Sequence, residues 1–68
     1  MSIFTKKILR KIYLKRCDLG YSQSYVGSKL GITQEAYGRI ERGQTELTTD
    51  RVNEIAKVFE VTVIDLIF

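Results

Sequence analysis

The stretch from Gln23 to Ile40, QSYVGSKLGITQEAYGRI in one-letter code, leaves this chain few ways to fold. Its apolar residues are Val26, Leu30, Ile32, Tyr37 and Ile40. Val26 and Leu30 share one face of a helix by their spacing, and Tyr37 and Ile40 share one face of the next. Between the two pairs lies Leu30-Gly31-Ile32-Thr33. Gly31 can take the positive φ that ends a helix, Thr33 can cap the helix that follows, and Ile32 can tuck into the angle between them. The spacing therefore predicts two short helices joined by a tight turn, their apolar faces directed at a common core. Gln34, Glu35 and Arg39 are left facing outward on the second.

Two helices so joined describe a helix-turn-helix. Gln, Glu and Arg are side chains that read base edges in a major groove: Gln bonds adenine in two places, Arg grips guanine N7 and O6, and Glu accepts from cytosine N4. Glu35 has an equally good structural reading as a favourable charge in the first turn of a helix.

The remainder of the chain must supply the core. With 68 residues the expectation is one domain over residues 1–68, burying roughly 60% of its unfolded surface. No apolar run approaches the roughly 20 residues needed to span a bilayer. Ile3 and Phe4 are followed almost at once by Lys6 and Lys7, so the beginning does not read as a signal peptide. Cys17 is the single cysteine and histidine is absent, which excludes a zinc site of the usual kind and an internal disulfide. A reducing, cytoplasmic interior is the simpler expectation. The formal net charge of +3 suits a nucleic-acid partner without demanding one.

Before the central stretch, residues from about Thr5 to Asp18 read as a first helix. Thr5 is its expected N-cap, Gly20 its stop, and Ile8, Leu9, Ile12, Tyr13 and Cys17 its apolar positions. Its other side carries Lys6, Lys7, Arg10, Lys11 and Lys15, open to three readings: a solvated face, contacts with DNA phosphates, or a basic amphipathic helix on a membrane. The last weakens if the apolar side is used in the core. Ser22 caps the second helix, Gln23 to about Leu30. Gly27 costs that helix roughly 1 kcal/mol relative to Ala, offset if the third helix packs closely there. The third helix runs from about Gln34 to Arg42. It contains Gly38, read either as an ill-suited surface residue or as a position where a side chain would obstruct DNA.

After a loop at Gln44–Leu47, Thr48 reads as an N-cap, and Val52, Ile55, Ala56 and Phe59 form an amphipathic face ending near Glu60. Thr62 and Asp65 form a capping box for a short last helix, whose apolar residues are Val63, Ile64, Leu66, Ile67 and Phe68.

Taken together, the chain resembles the Cro/cI-type (XRE-family) DNA-binding domain over roughly Ile8 to Leu66. The resemblance is carried by Ser22-Gln23, the spacing Val26, Leu30-Gly31-Ile32, Tyr37, Ile40, then Glu41-Arg42-Gly43, and the ending Val-Thr-Val-Ile-Asp-Leu. It implies an all-α, compact five-helix, lambda-repressor-like fold. It also implies a sequence-specific transcriptional regulator, expected to be a repressor, that binds double-stranded DNA as a homodimer on a palindromic operator. No cofactor, metal or small-molecule ligand is implied.

In the family the residue matching Gln23 binds a phosphate and braces the start of the recognition helix. The base-reading positions fall on Gln34, Glu35 and Arg39, and Arg42 and Gln44 match positions that touch the backbone. Thr33 can bond a phosphate as well as cap, and the hydroxyl of Tyr37 is a further candidate. Arg16 and Glu41 match a structural ion pair. For dimerisation the resemblance leaves Ile64 and Phe68 as the expected surface, unless both pack within the chain. Three residues depart from the family pattern: Gly27 where Ala is usual, Tyr37 where a branched aliphatic is usual, and Gly38 where a polar residue is usual. The rival reading is a protein-interaction module of the same fold that does not use DNA. An enzyme has little support, with no histidine, no Gly-rich phosphate loop and no paired nucleophile and base. A bacterial or phage source is the expected setting.

Overall fold

The structure is a computed structural model and describes residues 2–68. It contains five helices: α1 (Ile3–Asp18), α2 (Gln23–Leu30), α3 (Gln34–Glu41), α4 (Thr49–Phe59) and α5 (Val63–Ile67).

Helix α1 starts earlier than its sequence pattern suggests. Ser2, not Thr5, is the N-cap: its side chain accepts from the Thr5 amide at 3.1 Å. Thr5 sits in the first turn, its hydroxyl 3.0 Å from that of Ser2. Ser2 takes the role because it stands just outside the helix, where its hydroxyl can accept from a first-turn amide, whereas Thr5 already lies within that turn. Ile8, Leu9 and Ile12 turn inward. Tyr13 and Cys17, expected on the same face, are exposed. They flank the inward arc instead of lying on it, and Tyr13 stands beside the Arg16 guanidinium, 5.5 Å from its ring centre. The helix closes through Gly20 at φ 74°, with Tyr21 N–H donating back to the Arg16 carbonyl at 3.1 Å. That reversal sends Tyr21 against Tyr25 and Phe59.

The Ser22 hydroxyl accepts from the Tyr25 amide at 2.9 Å and the Thr33 hydroxyl from the Ala36 amide at 3.0 Å, so α2 and α3 each begin on a side-chain cap. Gly31 takes φ 75° between them. At Gly27 it is the turn, not the third helix, that approaches closely: an added Cβ would lie 3.0 Å from the Thr33 carbonyl oxygen and 3.2 Å from that of Ile32. The missing side chain is what allows the short turn to lie against α2. Helix α3 ends one residue earlier than its pattern suggests, with Arg42 as the C-cap.

Helices α4 and α5 complete the core. The Thr48 side chain caps α4, which buries Val52, Ile55, Ala56 and Phe59. Glu60 ends it in the left-handed conformation at φ 58°, a position that costs any residue with a Cβ some strain. Thr62 and Asp65 then form the reciprocal capping box of α5. This arrangement holds the Asp65 carboxyl below its ordinary range, first through the Thr62 backbone N–H and then through its hydroxyl. Leu66 is buried, and Val63 and Ile67 pack partly against the same core. Ile64 and Phe68 stand outward, 66% and 82% exposed. The alternative that both pack within the chain is therefore overturned.

No described helix is long and apolar enough to cross a membrane. Of the apolar residues of α1, Ile8, Leu9 and Ile12 are used in the core, whereas Ile3, Phe4, Tyr13 and Leu14 stay exposed.

Candidate nucleic-acid interface

Helix α3 projects its polar side away from the core that Tyr37 and Ile40 enter. Gln34, Glu35 and Arg39 are all exposed. Glu35 and Arg39 pair across one turn, Oε1 to a guanidinium nitrogen at 2.6 Å. Gln23, Thr33, Gln34, Glu35 and Arg42 border one shallow depression at the start of α3. Gln44 lies just past the helix, where its side-chain oxygen is 3.5 Å from the Arg42 guanidinium.

An ion pair and its hydrogen bonds underlie this surface. Arg16 Nε donates to one oxygen of the Glu41 carboxylate and a terminal nitrogen donates to the other, both at 2.9 Å. The remaining Arg16 amino group donates to the Tyr21 carbonyl at 2.8 Å. Gln23 Nε2 donates to Glu41 Oε1 at 3.3 Å. One ion pair thus ties α1, the start of α2 and the end of α3 together. The two side chains are only 12% and 4% exposed. The hydrogen bond to Glu41 raises the Arg16 guanidinium above its ordinary value. Burial pushes the Glu41 carboxyl up, but hydrogen bonds led by Arg16 outweigh it and hold the group below its usual 4.5. A bidentate pair of this kind fixes geometry as well as charge.

Two residues stand differently from their sequence readings. Tyr37 is fully buried, with 0% exposure. Its hydroxyl cannot reach a phosphate, which corrects the reading of it as a contact. The hydroxyl has no partner of good hydrogen-bond geometry, although the Glu41 carboxylate is near enough to act on it. Burial first, and then that carboxylate, push the phenol well above its ordinary value. Gly38 is buried too, which overturns its reading as an ill-suited surface residue. The space it leaves belongs to two neighbouring side chains. An added Cβ would meet Arg42 Nη1 at 2.9 Å and Gln23 Oε1 at 3.2 Å. Spacing alone shows that Tyr37 lies on the inward face, but not how deep, and Gly38's neighbours come from two other segments of the chain.

The helix-turn-helix family profile matches residues 12–66. The chain belongs to the XRE kind of helix-turn-helix proteins. Comparison with curated proteins and with solved structures returned no significant match. Family membership makes the protein a DNA-binding transcription regulator, and the exposed side of α3 is the recognition-helix position of that motif.

Proposed function

We propose that the protein is a repressor that binds a palindromic operator as a symmetric dimer, with α3 in the major groove. Gln34, Glu35 and Arg39 reach base edges. Gln23, Thr33, Arg42 and Gln44 contact phosphates and set the register. The observation that carries this reading is the convergence of Gln23 and Arg42 on the start of α3. Backbone-holding groups thus flank the base-reading ones on one surface.

The outward Ile64 and Phe68, four positions apart on one side of α5 and its end, support self-association. Principal extents of 27 × 23 × 20 Å allow two copies to stand side by side with their α3 helices about one duplex turn, roughly 34 Å, apart. Bound over a promoter, such a dimer competes with the polymerase, hence the repressor assignment. Residues 1–68 act as one such unit in this proposal, in the cytoplasm of a bacterium or a phage-infected cell.

Selection from a pool of random duplexes at two salt concentrations tests the reading. Enrichment of a palindrome, with affinity falling steeply as salt rises, is expected. Absence of binding at low salt would favour the protein-interaction reading instead.

A further inference from the structure

Apart from Arg16, which is held by Glu41, the five cations of α1 do not form one face. Lys11 and Lys15 border a depression beside α5, together with Asp18 and Asp65. They have acidic neighbours, and both lower the Asp65 carboxyl. Lys6 and Arg10 lie one turn apart and border a different depression, which Tyr13, Gln23 and Arg42 also line. Gln23 and Arg42 are the residues that border the depression at the start of α3 as well. The two hollows are therefore one strip, with Gln23 and Arg42 on the ridge between them.

The electrostatics of the strip are one-sided at its α1 end. Glu41 is the acid there, and its carboxylate is occupied by Arg16. Among the described residues Lys6, Arg10 and Arg42 have no ion-pair partner. Three cations without ion-pair partners gathered on one surface repel one another. A row of phosphates reverses the sign of that interaction.

We infer that Lys6 and Arg10 form a second phosphate-binding patch for the DNA backbone, continuous with Gln23 and Arg42, that extends the footprint beyond the helix-turn-helix onto α1. The inference rests on the DNA-binding reading above and adds to it contacts that hold every sequence alike. The contacts are electrostatic, so they strengthen binding and steer encounter without choosing bases.

The test measures affinity for a mixed-sequence duplex across a salt series, for the wild-type chain and two charge-matched double variants. Lys6→Gln with Arg10→Gln removes two charges from the strip. Lys11→Gln with Lys15→Gln removes two charges from the side facing Asp65. The first double variant is expected to flatten the slope of log affinity against log salt by about two per bound protomer, while selecting the same preferred sequence as wild type. The second is expected to leave the slope near that of wild type. Lys6 and Arg10 are exposed, so the first variant folds, which a thermal melt verifies. Lys6→Gln alone, expected to flatten the slope by about one, keeps the test readable if it does not. Equal flattening in both doubles would mean that only net charge matters and would overturn the inference. An unchanged slope in the first would do the same. A wild-type chain with no salt-dependent binding would remove the DNA reading itself, and the patch with it.

Discussion

Glu35 and Arg39 hold one another across a single turn of α3, carboxylate to guanidinium at 2.6 Å, on the face that meets DNA in the proposed complex. Both side chains are largely in solvent, where such a pair stabilises by only about 0.3–0.5 kcal/mol. Releasing Arg39 to a guanine is therefore cheap, and Glu35 limits where Arg39 can reach. Arg39→Ala is expected to weaken operator binding by about 1–3 kcal/mol and to relax preference at one base pair. Glu35→Ala is expected to strengthen binding to mixed-sequence DNA and to blunt discrimination at that same base pair. Selection with each variant checks both. An unchanged preference in Glu35→Ala would leave Glu35 as a favourable first-turn charge and nothing more.

The Arg16–Glu41 pair makes a different prediction, because it is nearly closed to water. Glu41→Ala strands a guanidinium among α1, α2 and α3, and is expected to cost about 3–5 kcal/mol. In a chain of this size that lowers the melting temperature by well over 10 °C, at about 4–8 °C per kcal/mol. Lost DNA binding should follow unfolding and return on cooling. The folded-state pKa of Glu41 lies below its ordinary 4.5. Its contribution is therefore full above about pH 4.5 and is lost as pH falls through the folded value. Acid melts of wild type should steepen in that window, and those of Glu41→Gln, weaker at neutral pH, should be flatter there.

Tyr37 gives the opposite pH behaviour. Its hydroxyl is enclosed without a well-formed hydrogen bond, an arrangement that costs about 1–3 kcal/mol relative to a satisfied group. Tyr37→Phe is expected to match or exceed wild-type stability at neutral pH. The folded phenol titrates above the ordinary value near 10. Wild-type stability is thus present below pH 10 and declines as pH rises above it, because the unfolded chain ionises first. Tyr37→Phe should lack that part of the decline. Alkaline melts measure it, and a lower melting temperature for Tyr37→Phe at pH 7 would show that Glu41 does accept a bond from the hydroxyl.

How much of this was readable in advance follows from how local each feature is. The caps at Ser22, Thr33, Thr48 and Thr62 and the left-handed Gly31 involve residues no more than a few positions apart, so residue type and spacing suffice. The start of α1 is less legible, because Ser and Thr are both good caps and Ser2 stands only three positions before Thr5. The Arg16–Glu41 pair joins positions 25 residues apart, and nothing in the spacing marks it. Only family resemblance suggested it. Burial depth at Tyr37 and which groups stand opposite each pair of α1 cations depend on where other elements lie, which periodicity along one helix does not encode.

The same non-local cause lies behind the behaviour expected of Gly38. A methyl group there meets the far ends of two flexible side chains, Arg42 and Gln23, and not backbone. Those ends can move aside, and Ala is favoured over Gly by about 1 kcal/mol inside a helix. Gly38→Ala is therefore expected to melt at the wild-type temperature or a few degrees above it. Moving aside takes Gln23 and Arg42 off the ridge where the two depressions join. DNA affinity is expected to fall several-fold on all sequences, since the displaced groups hold phosphates in the proposed complex. Gly27→Val is the contrasting variant: its side chain would press on the Thr33 and Ile32 carbonyls, which belong to the turn itself. It should lower the melting temperature, and with it binding. Melting curves and mixed-duplex affinities for the two variants separate the glycine that leaves room for the fold from the one that leaves room for the interface. A Gly38→Ala chain that binds as wild type would show that Gln23 and Arg42 are not held in place by the gap beneath them.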